Sequence, residues 1–221
     1  REITAIQATG RVPLLVGGTM LYFQALERGL AKLPSADSAL RARLAAEFVE
    51  QRSAALHLRL ARIDPTAAAR IHPHDSQRIQ RALEVHELTG RSLTELCAHP
   101  RNESLPFRIV KLILALDRQV LHVRIKHRFL FMLERGFITE VKHLKERGGL
   151  DLDKPAMRAV GYRQVWAYLD GILDDAAMIE CSIAATRQFA KRQLTWLRAE
   201  PDAVWLDSCS SRLLEHAMAY L

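Results

Sequence analysis

Apolar residues follow two different periodicities along this chain, and the difference separates predicted strands from predicted helices. Continuous apolar runs at residues 12–16, 107–116 and 204–206 predict three short buried strands. Elsewhere the apolar residues recur every three or four positions, as they do on one face of a helix. Strands that alternate with helices are typical of an α/β fold with a mostly parallel sheet.

The stretch from residue 35 to residue 105 has no strand signals. Periodicity predicts helices at residues 38–52, 53–63 and 76–89, a short helix that begins at Asp64-Pro65, and another whose capping box is Ser92 and Glu95. Asp75 and Gly90 are the expected caps of the helix at 76–89. We therefore expect an all-helical insertion at residues 35–105 in an α/β core formed by residues 1–34 and 106–221.

The predicted core carries further helices on both sides of the insertion. They are expected at residues 2–9, 20–28, 117–135, 138–147, 155–168, 174–198 and 211–221. A polar linker at residues 100–106 is expected to lead from the insertion back to the core. Because the chain opens at Arg1 without Met and soon enters an apolar strand, we expect earlier strands and helices of the core to lie upstream.

The helix predicted at residues 174–198 carries a basic stripe. Four residues fall on one side at 100° per residue: Arg187, Lys191, Thr195 and Arg198. No carboxylate interrupts residues 184–198, and Phe189 and Trp196 lie roughly opposite the stripe, where we expect them to be buried. The stripe favours a phosphate-rich ligand. An amphipathic surface helix with solvated basic residues would have the same spacing.

Charge and composition narrow the classes of function. The 221 residues include 32 Lys and Arg against 25 Asp and Glu, and this net charge of +7 favours a polyanionic partner such as nucleic acid. Cys97, Cys181 and Cys209 are widely spaced, without a CxxC or a Cys/His metal spacing, which indicates a reduced, cytoplasmic protein. The apolar runs are too short to cross a bilayer, and no signal peptide opens the chain.

Two segments of the core are candidates for anion binding. The turn Gly17-Gly18-Thr19 joins a predicted strand to a helix, and its glycines would let a ligand approach the backbone at a helix N-terminus. Most such turns are only tight connections. Arg124 and Arg128 are one helical turn apart after a core strand, and they repel each other unless an anion or another partner lies near them. Two solvated surface arginines remain the alternative.

Three further segments have weaker signals. Arg78 and Arg81 share one side of a helix, although a solvated face has the same pattern. Arg158, Tyr162 and Arg163 combine charge with a ring that could contact RNA, whereas tyrosine in such a position is more often part of a core. His72 and His74 have no third metal ligand nearby and are interpreted as loop histidines.

Read together, the motifs resemble a known family. They occur in this order: Gly17-Gly18-Thr19-Met20-Leu21-Tyr22-Phe23, residues 75–85, Arg128 with Met132 and Gly136, residues 158–163, and residues 191–198. This combination spans nearly the whole chain and closely resembles the bacterial tRNA dimethylallyltransferases, also called tRNA isopentenyltransferases. The resemblance implies a P-loop NTPase-like α/β core with a helical insertion. It also implies transfer of a dimethylallyl group from dimethylallyl diphosphate to N6 of adenosine 37 in the anticodon stem-loop of tRNA.

The resemblance also implies roles for individual residues. Thr19 and Arg128 are the expected catalytic residues, and Gly17, Gly18 and Arg128 the expected diphosphate contacts. The expected tRNA contacts are Thr19, Arg41, Gln77, Arg78, Ile79, Gln80, Arg81, Arg158, Ala159, Val160, Gly161, Tyr162, Arg163, Lys191, Arg192, Gln193, Leu194, Thr195, Trp196, Leu197 and Arg198. Mg²⁺ is the implied cofactor, with no ligand expected within this chain. The expected partners are tRNA and dimethylallyl diphosphate, without a membrane, for a monomeric protein.

The chain departs from the family pattern in one respect. A GxxxxGK[ST] motif and the following Asp-Ser segment, which carries the carboxylate base, do not occur among the 221 residues. We expect both upstream of Arg1, and we expect these 221 residues alone to be inactive. Two alternatives remain from the sequence: a non-catalytic RNA-binding module derived from this fold, and a related nucleotide kinase.

Overall fold

The computed structural model describes residues 1–98, 105–152 and 154–221. Its helices are α1 Glu2–Ala8, α2 Met20–Arg28, α3 Ser38–Ile63, α4 Pro65–Arg70, α5 Ser76–Thr89, α6 Leu93–Cys97, α7 Arg118–Glu134, α8 Phe137–Glu146, α9 Tyr162–Leu169, α10 Asp175–Leu197 and α11 Leu213–Met218. The strands are β1 Leu112–Ala115 and β2 Val204–Asp207, and a 3₁₀ turn covers Pro155–Arg158. The chain divides into a first unit, Arg1–Met20 with Phe107–Leu221, and a second unit, Leu21–Pro106.

The first unit contains a small parallel sheet. Strand β1 pairs with β2 from Leu112 opposite Val204 to Ala115 opposite Asp207. The second unit is helical in its described residues. The predicted fold class, an α/β core with an all-helical domain, is therefore confirmed, and so is the strand predicted at 204–206. The strand predicted at 107–116 is shorter than expected, because only its last part is hydrogen-bonded to a neighbour.

The strand predicted at residues 12–16 is wrong. These residues have no regular secondary structure, and the side chains of Val12, Leu14 and Val16 are exposed. An apolar run favours a strand only where another strand supplies backbone hydrogen bonds, and β1 and β2 pair with each other elsewhere. Within the described residues, no strand pairs with this segment.

Helices α7 to α10 enclose the core of the first unit. Its fully buried members include Val141, Val165 and Met178, and α7 contributes Ile125 and Phe129 from one face. The helix predicted at 155–168 is divided in the structure by residues 159–161. The 3₁₀ turn ends where Ala159 takes ψ of 142°, and Gly161, with φ of +100°, is the N-cap of α9. These two non-helical conformations interrupt the predicted helix.

A separate core fills the second unit. Leu44, Leu56 and Leu60 of α3 pack with Ile79 and Leu83 of α5. The predicted caps are confirmed: Asp75 accepts a hydrogen bond from the Arg78 N–H, Gly90 is left-handed with φ of +68°, and Ser92 and Glu95 form the capping box. The linker predicted at residues 100–106 lies mostly outside the described residues.

Helix α3 runs from Ser38 to Ile63 as one helix, although the sequence predicted two helices over these residues. Its axis nevertheless bends. The Arg59 guanidinium donates to the Glu47 carboxylate at 3.0 Å, whereas a straight helix would separate these residues by about 18 Å along its axis. The two side chains cannot span that distance, so the helix axis bends between Glu47 and Arg59.

Candidate functional site

Helix α10 buries one face and exposes the other. Ser182 and Ile183 are buried, and Ala190 packs against the core of the first unit. Phe189 and Trp196 are 41% and 43% exposed, so the prediction that they are buried is wrong. The reason is the rotation of the helix: its packed side carries Ile179, Ile183 and Ala190, not the aromatic rings.

The exposed face of α10 is basic. Lys191, Arg192 and Arg198 are exposed, and within the described ranges none of them forms a salt bridge with a carboxylate. The Arg192 guanidinium lies 5.8 Å from the centroid of the Phe189 ring. Of the four residues in the predicted stripe, Lys191, Thr195 and Arg198 are exposed, whereas Arg187 is half-buried. The result is a surface that offers positive charge beside two open aromatic rings.

The turn Gly17-Gly18-Thr19 lies against this helix. The Gln193 amide donates from Nε2 to the Gly18 carbonyl oxygen at 2.8 Å. A Cβ atom on Gly18 would lie 2.3 Å from the same nitrogen, which explains the glycine. Thr19 is exposed immediately before α2. The structure therefore brings Gly18 and the neighbouring Thr19 next to Gln193 of α10.

Arg128 lies on the exposed side of α7. It lies beside Phe131 and Glu134 of the same helix, on an open part of the surface. Arg124 lies on the same side, but its guanidinium is 3.5 Å from the Cys209 sulfur. The two arginines thus differ: Arg124 has a neighbour within the protein, while Arg128 borders open space.

The segment at residues 158–163 is partly structural. Gly161 is buried, and a Cβ atom there would lie 3.1 Å from the Phe137 ring. The Tyr162 ring packs edge-on against Phe137 at 5.0 Å between centroids, and its hydroxyl donates to Glu140. This hydrogen bond, together with burial, raises the pKa of Tyr162. Arg158 and Arg163 are exposed on either side of this anchored turn.

In the second unit, two of the predicted tRNA contacts, Arg41 and Arg81, meet at a buried glutamate that was not predicted. Glu84 is fully buried on α5. Its carboxylate accepts from Arg41 at 2.8 and 3.1 Å, from Arg81 at 2.6 Å and from the Asp37 N–H at 3.0 Å. Arg81 also donates to the Pro34 carbonyl oxygen at 2.8 Å. The only sequence signal for Glu84 was its position three residues after Arg81.

The other candidates on α5 differ in exposure. Gln77 and Arg78 are exposed, and Arg78 pairs with Asp75 at 3.3 Å. Gln80 donates from its side chain to the Arg41 carbonyl oxygen at 2.8 Å. The Ile79 side chain is fully buried in the core of the second unit. Its expected role as a tRNA contact is corrected to a packing role, because a buried side chain cannot reach an external ligand.

The charge state of Glu84 follows from its contacts. Burial by itself raises the pKa of a carboxyl group, but the hydrogen bonds from Arg41, Arg81 and the Asp37 N–H outweigh burial. Together they lower the pKa of Glu84 from 4.5 to about 2. The residue is therefore a carboxylate at neutral pH, and it faces two guanidinium groups.

The described ranges contain no group of three His, Cys, Asp or Glu side chains that could hold a metal ion. The His72 and His74 rings lie 5.3 Å apart.

Cys97, Cys181 and Cys209 are free thiols. Among the residues that the structure describes, no helix has the length and apolar content needed to cross a membrane.

Comparisons with known proteins identify relatives over nearly the whole chain. The family model described as IPP transferase matches residues 1–200. A tRNA dimethylallyltransferase of Methylococcus capsulatus (strain ATCC 33009 / NCIMB 11132 / Bath) is 54% identical over 216 residues, which are 97% of this chain and 69% of that protein.

Two solved structures extend the comparison. The full-length tRNA isopentenylpyrophosphate transferase from Bacillus halodurans has a TM-score of 0.62 and 36% identity, over 99% of this chain and 69% of its own. A eukaryotic dimethylallyltransferase acting on tRNA has a TM-score of 0.70 and 26% identity, over 99% of this chain and 58% of its own.

Proposed function

This chain belongs to the IPP transferase family, and on that premise we propose that it transfers a dimethylallyl group from dimethylallyl diphosphate to N6 of adenosine 37 in tRNA. The observation that carries the proposal is the 54% identity to a tRNA dimethylallyltransferase over 97% of the chain. The exposed basic face of α10 supports it, because a polyanionic substrate matches an unpaired cluster of cations.

In this proposal α10 follows the tRNA backbone. Lys191, Arg192 and Arg198 contact phosphates, whose neutralisation supplies the salt-dependent part of the affinity. Phe189 and Trp196 have open ring surfaces on which an unstacked base can stack. Arg158 and Arg163 extend the set of basic contacts within the first unit. On the second unit, the proposed tRNA contacts are Arg41, Gln77, Arg78, Gln80 and Arg81.

The reaction joins the adenine nitrogen to the allylic carbon. A bond forms between N6 and C1 of the dimethylallyl group, the bond from C1 to the diphosphate oxygen breaks, and a carboxylate accepts the N6 proton. Thr19 contacts the target adenosine, and Gly17 and Gly18 let the diphosphate approach the backbone. Arg128 stabilises the negative charge that grows on the diphosphate as it leaves. The adenine has to leave its stack to react, at a cost of a few kcal/mol.

Two finer features belong to the same proposal. Mg²⁺ is the expected companion of the diphosphate, but no step is assigned to the ion because the described residues supply no cluster of metal ligands. We place the reaction in the cytoplasm, and the free thiols of Cys97, Cys181 and Cys209 agree with a reducing compartment.

The test is direct. The full-length protein is incubated with dimethylallyl diphosphate and two tRNA transcripts, one with adenosine at position 37 and one with guanosine there. Nucleosides from each tRNA are then analysed by mass spectrometry. We expect one dimethylallyl group on the adenosine tRNA and none on its partner. A separate binding assay that shows affinity for both transcripts without transfer would favour a non-catalytic RNA-binding module. Phosphate transfer in a parallel incubation with ATP and a nucleoside monophosphate would favour a kinase.

A further inference from the structure

Glu84 is a buried carboxylate between two arginines of the proposed tRNA surface, and we infer that it is a positioning residue for tRNA recognition. In this inference it fixes the Arg41 and Arg81 guanidinium groups in the orientation that receives an RNA phosphate. The inference rests on the proposed function and adds to it a residue that does not itself touch the substrate.

The geometry leaves Glu84 with no spare hydrogen-bonding capacity. Its Oε1 accepts from the Arg41 Nε at 2.8 Å and from the Asp37 N–H at 3.0 Å. Its Oε2 accepts from Arg81 at 2.6 Å and from the Arg41 Nη2 at 3.1 Å. Four hydrogen bonds therefore orient one carboxylate, and that carboxylate in turn orients two guanidinium groups.

The two arginines keep access to solvent. The Arg41 side chain is 47% exposed and that of Arg81 is 29% exposed, while Glu84 is at 0%. Arg41 uses Nε and Nη2 on Glu84, and within the described residues its Nη1 has no hydrogen-bond partner. The Nε and Nη2 edge of the Arg41 guanidinium is therefore fixed by Glu84, and Nη1 can donate to a phosphate. A phosphate that binds there meets a guanidinium whose side chain is already ordered, so less conformational entropy is lost on binding.

A second cluster of ion pairs joins α3 to α5 and serves as a comparison, because its charges are balanced. Arg43 and Arg59 both donate to Glu47 and to Glu87, so two cations meet two anions. That cluster is neutral and joins α3 to α5. The Glu84 cluster joins the same helices, but it sets one anion against two cations. Its remaining positive charge distinguishes a binding role from a structural one.

The substitution Glu84→Gln distinguishes two possible effects of Glu84 on tRNA affinity: the orientation of the arginines and the net charge of the surface. It removes a negative charge beside two arginines, so attraction by net charge alone predicts tighter tRNA binding. Positioning predicts weaker binding, because a neutral amide no longer holds both guanidinium groups. We expect the Kd for tRNA to rise about tenfold and the slope of log K against log salt to fall by about one unit. The KM for tRNA should rise by a larger factor than the one by which kcat falls, because Glu84 acts on tRNA binding.

Glu87→Gln is the matched control, because it changes a carboxylate that also joins α3 to α5. Its affinity and salt slope should match the wild type. Arg41→Lys provides a second test in case Glu84→Gln does not fold. It keeps the positive charge at an exposed position and leaves Glu84 paired with Arg81. We expect Arg41→Lys to lose nearly as much affinity as Arg41→Ala.

Tighter or unchanged binding by folded Glu84→Gln would overturn the inference. Wild-type affinity in Arg41→Lys would overturn it as well, and this second result decides the question if Glu84→Gln does not fold. A wild-type protein that modifies no tRNA would contradict the proposed function instead, so the two failures are distinguishable.

Discussion

Glu84 accepts two hydrogen bonds from the Arg41 guanidinium, at 2.8 and 3.1 Å, although 43 positions separate the two residues. The contact joins the first turns of α3 to the middle of α5. The Asp37 N–H, at the N-cap of α3, donates to the same carboxylate at 3.0 Å. One buried charge therefore sets the position of a helix end as well as that of an arginine.

The pKa of Glu84 gives a pH dependence of stability. The pKa falls from 4.5 to about 2 on folding, so in acid the unfolded chain binds the proton before the folded chain does. The stabilisation is complete above about pH 4.5 and is lost as the pH falls towards 2. It amounts to about 3 kcal/mol. Urea unfolding from pH 6 to pH 2.5, roughly the range over which the linkage acts, should show a smaller loss of stability for Glu84→Gln. Parallel curves would contradict the assignment.

Gly161→Ala should destabilise the first unit strongly. The residue has φ of +100°, and a Cβ atom would lie 3.1 Å from the Phe137 ring, so backbone strain and overpacking act together. We expect a loss of about 2–4 kcal/mol. Gly148→Ala is the matched control, with φ of +73° and nothing within 4 Å, and should cost about 1 kcal/mol. Equal denaturation midpoints for the two variants would argue against the close packing at Gly161.

Gly18→Ala should release the turn at residues 17–19 from α10. The added Cβ would lie 2.3 Å from the Gln193 Nε2, and the flexible amide would swing away and lose its bond to the Gly18 oxygen. Gly18→Ala and Gln193→Ala should each cost about 1 kcal/mol, and the double variant should cost little more than either. Gln188→Ala, an exposed position on the same helix, is the control. Full additivity in chemical denaturation would show that the two residues act independently.

Arg128→Ala should lower turnover more than it weakens tRNA binding. Its guanidinium is proposed to act on the charge that develops on the departing diphosphate, so we expect kcat to fall by about a hundredfold. The Kd for tRNA should change little. Arg135→Ala is the control, because that guanidinium lies 4.7 Å from the Phe131 ring at the end of the same helix. Normal turnover with a large loss of tRNA affinity would reassign Arg128 to the RNA surface.

The sequence was informative where local chemistry decides the structure. The caps Asp75 and Gly90 and the Ser92–Glu95 box depend on neighbouring residues, and all three were predicted. Residues 12–16 were misassigned because strand formation depends on a distant partner, which an apolar run does not reveal.

In the candidate site, too, features set by neighbouring residues were predicted and features set by distant packing were not. The basic residues of α10 were visible in the sequence, but the rotation that exposes Phe189 and Trp196 is set by packing against other helices. Glu84 was missed because its partner Arg41 lies on another helix. A glutamate beside Leu83 and Val85 gives little local sign that it is buried with two arginines.

The measurement that tests most directly whether α10 follows the tRNA backbone is tRNA affinity as a function of salt concentration. The full-length wild type is compared with the triple variant Lys191→Ala, Arg192→Ala and Arg198→Ala. Lys142→Ala is the control, because Lys142 is an exposed lysine of the first unit that pairs with Glu146 at 3.8 Å. We expect the triple variant to lose about three units of slope in log K against log salt, and the control to match the wild type. Identical slopes for all three proteins would mean that the basic face of α10 is only solvated and does not bind tRNA.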